Sequence, residues 1–279
     1  MPDHRRSLFR HAAVHSLRSR GTAMCLRPAL AAEHLQVLRE TFGLRETSER
    51  AALHSQPVSA WLDPARCAEL LDDLAARMEA PSRRVAASLL TKRLGFLTIG
   101  VAFYALSAAG RQMDLRPGNV WIEDGFVQGR WQSSLPLGDD RPLPAPGDHA
   151  QLRAQVAHTL FGELLGPLWE TLARVGRVSP RILWENAAVR LYSLYDQRLP
   201  ELAAPEAQAR CAEDFAWLLA AAPAELGLEL NPLAQFRRPA VANAVGRSIR
   251  FRRTCCFYYQ ATTPAEYCSN CPLIRPRET

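Results

Sequence analysis

The chain has 279 residues and a mass of 31.1 kDa, enough to bury a sizeable core in one large domain or two modest ones. Its 48% hydrophobic and 22% charged content is that of a soluble globular protein and sets aside a chain without a core. The net charge of +6 and pI near 9.2 come from many arginines against few lysines, a balance that suits nucleic acid, anionic lipid, anionic small molecules or simply a solvated surface.

Residues 1–28 read as a basic, disordered arm, and a translation start near Met24 fits the same sequence. The first 22 residues, MPDHRRSLFRHAAVHSLRSRGT, lack the continuous apolar run of a secretory signal. Residues 29–43 are expected to be helical and 44–60 a mixed connection. Asp63-Pro64 pairs a capping carboxylate with proline at the first helical position. Leu70, Leu71, Leu74 and Met78 follow at helical spacing, and the helix stops before Pro81. Ser82 opens a further helix that runs into the most apolar stretch, Leu94 to Ala109, and ends at Gly110. That stretch falls short of the roughly 20 residues a bilayer span needs, so it reads as a central buried helix. With neither signal nor span, the expected compartment is the cytoplasm.

Val120-Trp121-Ile122, the Asp124-Gly125 dipeptide and Phe126-Val127 leading to Trp131 predict a β-hairpin. Four prolines within residues 134–147 mark a loop or a boundary. Asp148 caps a helical block to Val175 with a break at Gly166-Pro167. Ser179-Pro180 starts a helix to about Leu199, and another runs from Pro205 to Ala221. Pro223 to Pro232 is a connection, and residues 233–252 are expected to be helical from about Pro239. The fold class is mainly α with a small β-hairpin or sheet element (α+β) and a four-cysteine metal-binding tail. Residues 29–250 form the helical domain and 251–279 the tail.

Four of seven cysteines, Cys255, Cys256, Cys268 and Cys271, make the pattern C-C-x11-C-x2-C. In a reducing compartment, clustered thiols point to a metal rather than to disulfides. Two centres compete: a closed four-cysteine zinc site, which stabilises a fold, and a 2Fe–2S cluster, which passes single electrons. Adjacent side chains in extended backbone diverge, and a diiron rhomb tolerates diverging sulfurs better than one tetrahedral ion. Cys25, Cys67 and Cys211 lie apart and read as buried, inert thiols. The seven histidines are scattered; the His11/His15 pair sits in the basic arm without a third ligand nearby.

Arg237, Arg238, Arg247, Arg250, Arg252 and Arg253 precede the cysteines, and no Asp or Glu occurs between Asn231 and Ala265. These guanidiniums are expected to offset the negative charge of an iron–sulfur centre and to attract an anionic iron chelate, Arg247, Arg250 and Arg253 above all. Tyr258 flanks the cluster segment as a candidate substrate contact. No nucleic-acid motif accompanies the basic run, so no nucleic-acid partner is expected. The chain has no G-x-G-x-x-G fingerprint and no P-loop, so the electron source of a redox reading is another protein.

The tail R-x-T-C-C-F-Y-Y…Y-C-x-x-C-P resembles the C-terminal segment of the FhuF-type ferric-siderophore reductases. Leu183-Trp184-Glu185-Asn186-Ala187-Ala188 is similar to a W-x-N-A-A run of that family, and Lys92-Arg93 is a fainter match. Eleven residues separate Cys256 from Cys268 where about ten are expected, a change that a loop absorbs at little entropic cost. The resemblance implies a 2Fe–2S cofactor on the four cysteines and one-electron reduction of a ferric siderophore, with Trp184 and Asn186 near the chelate. It also implies a ferredoxin or ferredoxin-reductase-like donor, and leaves a peripheral place at the inner membrane open. The alternative is a non-enzymatic helical binding module with a structural zinc site.

Overall fold

A computed structural model describes residues 29–50, 54–123, 125–127, 130–242, 246 and 248–275. The expected basic arm, His11, His15 and Cys25 lie outside the described residues. Helix α1 (Ala32–Phe42) ends at Gly43, whose φ of 69° gives a left-handed cap. The segment read as a mixed connection holds two short strands, β1 (Leu44–Glu46) and β2 (Ser55–Pro57), and the short helix α2 (Val58–Leu62). Three-residue strands carry too little alternation to be seen in sequence.

Asp63 caps α3 (Pro64–Arg77) by accepting from the Arg66 N–H at 2.7 Å, and Leu70, Leu71, Leu74 and Met78 are buried, as their spacing requires. Ser82 caps α4 (Arg83–Ser107). By length and composition α4 could cross a membrane, but 83% of its most apolar stretch is buried inside the protein, so it is the core helix. Each large apolar side chain it buries contributes about 1.5–3 kcal/mol.

The hairpin differs from expectation. β3 (Trp121–Glu123) pairs antiparallel with β2, while β4 (Gly125–Val127) pairs with β5 (Arg130–Gln132). The strand that opens at Gly125 therefore pairs with the one that follows it, Val127 opposite Arg130, and not with β3 as a turn at Asp124-Gly125 would require. Gly125 is a strand residue: a Cβ there would meet the Gln132 carbonyl oxygen at 2.5 Å, so glycine serves close approach. The proline-rich stretch is not purely loop, because β6 (Leu135–Leu137) pairs parallel with β1 through Pro136.

Asp148 caps α5 (His149–Ala157), accepting from the Gln151 N–H at 2.9 Å. The expected break at Gly166-Pro167 is instead a π-helical stretch, His158–Leu165, that runs directly into α6 (Gly166–Gly176). The Gly166 N–H reaches back five residues to the Phe161 carbonyl, a wider turn that accommodates a proline lacking its own donor. Helix α7 (Pro180–Ser193) starts as expected, although Ser179 makes no side-chain cap bond. It continues through a second π-helical stretch, Leu194–Arg198, into α8 (Leu199–Leu202).

Helix α9 (Gln208–Ala220) follows, then the four-residue α10 (Pro232–Gln235). The expected helix over 233–252 does not form. The chain instead makes the two-residue strands β7 (Val241–Ala242) and β8 (Ser248–Ile249), with Gly246 at φ 74° between them. Side-chain partners on α7 and in Leu194–Arg198, not a helical ladder, hold this segment. With 61% helix and only two-stranded sheets among the described residues, the fold is mainly α with small sheets.

Candidate metal centre

The tail is fastened to α4 and α7 by a buried polar network. Glu185, 1% exposed, accepts from the backbone N–H groups of Arg253 and Thr254 at 2.6 and 2.7 Å, and from the Thr254 hydroxyl. Asn186 donates to the Ser88 carbonyl at 2.8 Å and to Thr91 Oγ1 at 3.0 Å, and its own oxygen accepts from Arg252 at 2.7 Å. Ser88 in turn donates to the Cys256 carbonyl at 3.0 Å. Small residues allow this closeness: a Cβ on Gly95 of α4 would lie 3.4 Å from the Cα of Ala187 on α7.

The four tail thiols fall into two pairs. Cys256 Sγ lies 3.4 Å from Cys268 Sγ, and Cys255 interacts with Cys271. The adjacent cysteines therefore diverge, one to each partner. Phe257, at φ 64°, turns the chain back so that its N–H donates to Cys255 Sγ at 3.3 Å, and the Tyr258 N–H bears on Cys256. The hydrogen bond from Cys268, then Lys92 and Arg252, holds the Cys256 thiol down to about 5 against burial, while Cys268 is raised as the proton-bearing partner. Among the described residues no group of three or more His, Cys, Asp or Glu side chains gathers as for a single ion.

A pocket of about 400 Å³ opens beside Cys268. Lys92, Arg190, Arg250 and Arg252 contribute to its wall, with Tyr258 and Asn270. Lys92 Nζ is 2.9 Å from Cys268 Sγ. Burial and neighbouring Arg252 lower Arg190 to about 10, against the pull of Cys268 and Cys256, so it is charged at neutral pH. Arg252 is 3% exposed; its buried Nε lies 3.8 Å from Glu185 Oε2, and among the described residues no acceptor is within hydrogen-bond distance of it.

A family model described as "Ferric iron reductase FhuF-like transporter" matches residues 88–243, and one described as "FhuF 2Fe-2S C-terminal domain" matches residues 252–273. The chain belongs to the FhuF family. Its cofactor is a 2Fe–2S cluster, and the C-terminal cysteines lie close together as that cofactor needs. No curated protein matches the chain. The first FhuF match begins at Ser88 and takes in Lys92, Glu185 and Asn186; the second takes in all four tail cysteines, so the two matched segments meet in this site. The two thiol pairs would suit a 2Fe–2S group, which takes four thiolates.

The residues expected near a chelate are only partly brought together. Arg250 and Tyr258 line the pocket. Asn186 also borders the pocket but is 1% exposed, and its bonds to α4 and Arg252 make it a fastening for the tail. Trp184 is elsewhere: it meets Phe161 and Trp169 with ring centroids 6.4 Å away and lines a separate groove of about 660 Å³ with Leu230 and Phe236. Two residues along a helix are some 200° apart, so 184 and 186 cannot share a face. Arg253 is exposed and outside the pocket lining, engaging Glu185 through its backbone instead. Arg247 lies outside the described residues.

The basic run is also less free than its sequence implies. Asp196 pairs with Arg237 at 3.2 Å and Arg250 at 3.8 Å, and Glu185 lies 3.8 Å from Arg252. Sequence reasoning missed Glu185, Ser88 and Arg190. A carboxylate between Trp184 and Asn186, within a helix rich in apolar residues, was the available signal at Glu185. Cys67 and Cys211 are buried and free, as expected.

Proposed function

We propose that this chain passes one electron to the Fe(III) of a siderophore seated in the pocket beside Cys268, releasing Fe(II) in the cytoplasm. Cys255, Cys256, Cys268 and Cys271 are the ligands of its cluster in this reading. The observation that carries it is the open pocket of about 400 Å³ with a thiol of the four-cysteine set in its wall, which a pure electron carrier does not need. When bound, the 2Fe–2S group supplies single electrons.

The chain's own residues do the rest. Lys92, Arg190 and Arg252 offset negative charge at the thiolates. Arg250 and Tyr258 meet the chelate at the pocket wall. The hard oxygen donors of siderophores favour Fe(III) over Fe(II), so one electron is enough to loosen the metal. An external ferredoxin or ferredoxin-reductase-like protein replenishes the electron, since the sequence carries no nucleotide fingerprint.

Anaerobic purification with metal and sulfide analysis tests the ligand assignment. The expected result is iron and labile sulfide with an EPR signal on one-electron reduction, lost or weakened when any of the four cysteines becomes serine. A colourless protein with zinc overturns it. Mixing the reduced protein with ferric siderophores and a ferrous trap tests the reaction: oxidation of the protein must match Fe(II) trapped.

A further inference from the structure

We propose that Lys92 tunes the reduction potential of the FhuF-type centre by donating a charged N–H to the Cys268 sulfur. The inference rests on Cys268 being a cluster ligand, as proposed above. Lys92 is the sole lysine of the chain; the other 33 of its 34 Lys and Arg residues are arginine. Everywhere else the protein meets its need for positive charge with guanidinium.

The two groups differ in what they can do. Guanidinium is a planar fork suited to carboxylates and aromatic faces. Arginines play those parts here, as in Arg83 with Asp72, Arg237 with Asp196 and Arg84 over Phe257. An ammonium is a compact point charge on a flexible stem. Lys92 projects from the middle of α4, a helix buried on most of its surface, and reaches the thiols: Nζ is 2.9 Å from Cys268 Sγ and 3.9 Å from Cys256 Sγ. The Tyr258 ring lies 4.9 Å from Nζ. Among the described residues Lys92 has no carboxylate partner, so its charge is directed at sulfur.

Reduction adds one negative charge to the centre. A hydrogen bond and a positive charge at a ligand sulfur stabilise the reduced state more than the oxidised one, which raises the potential. Lys92 is thus a positioning and tuning residue acting through Cys268.

The test is an equilibrium redox titration of the cluster-loaded protein. In Lys92→Met the reduced-to-oxidised ratio at the wild-type midpoint falls about tenfold, a downward shift of roughly 59 mV for one electron. Lys92→Arg keeps the charge but not the fit, and its midpoint falls between the two. A loaded Lys92→Met with the wild-type midpoint overturns the inference and leaves the cluster assignment standing.

If Lys92→Met takes up no cluster, the wild type decides. A single lysine gives a single side-chain line after ¹⁵N-lysine labelling. That line must be displaced or broadened by the paramagnetic centre and must change on reduction; an ordinary lysine line in both states refutes the contact. Absence of iron and sulfide from the wild type sinks the ligand reading, and this inference with it.

Discussion

Glu185 shows how one side chain can decide where a metal-binding tail sits. It gathers two backbone N–H groups and a hydroxyl from residues 253–254, just ahead of Cys255, and lies 3.8 Å from buried Arg252. Glu185→Ala leaves those donors and Arg252 uncompensated, and is expected to cost about 3–5 kcal/mol; urea unfolding with parallel iron analysis checks this, with lowered iron content the accompanying sign. Cys67 illustrates the opposite kind of thiol. Burial raises it from 9.0 to about 11. A group raised on folding favours the folded state below its unfolded pKa and loses that contribution as pH climbs through the folded one. Stability should therefore decline between about pH 9 and 11, and Cys67→Ala should flatten that decline in thermal melts. Cys67 and Cys211 should also resist thiol reagents until the protein unfolds. The four tail cysteines were legible in sequence because their chemistry lies in their spacing. Glu185, Arg190 and Ser88 were not, since each works through a partner 68 to 168 residues away or through the pocket.

At the scale of elements, α4 was readable from its caps and apolar run, but its neighbours were not. Gly100 lies against α1: a Cβ there would overlap the Phe42 ring, which is 1% exposed and held in the core. Gly100→Ala is expected to destabilise by about 1–3 kcal/mol through overpacking, read as a lowered midpoint in urea with an unchanged slope. The π-helical stretch at 158–165 eases the chain into Pro167, which the sequence showed only as a break. The stretch at 194–198 and the β7–β8 pairing were missed because Asp196 holds both Arg237 and Arg250 across distant sequence. The Asp124-Gly125 dipeptide misled because glycine serves close strand approach as readily as a turn.

For the molecule as a whole, core and tail draw on different sources of stability. The helices around α4 bury a large apolar set, whereas residues 253–275 rest on the Glu185 network, on Cys256, Cys271 and Phe257, and on the cofactor. Removing the metal should therefore leave the helical far-UV signal nearly intact while opening the tail to proteolysis between residues 253 and 275; global unfolding on metal removal would refute this division. The sequence alone determined the helical class, the buried central helix and the four clustered thiols, because caps, apolar periodicity and cysteine spacing are local properties. Only the tertiary structure decided which thiols pair, that Asn186 fastens the tail while Trp184 turns away, and that the one lysine meets Cys268. Those depend on α4, α7 and the tail converging, and a distance between residues 176 positions apart is written in no local pattern.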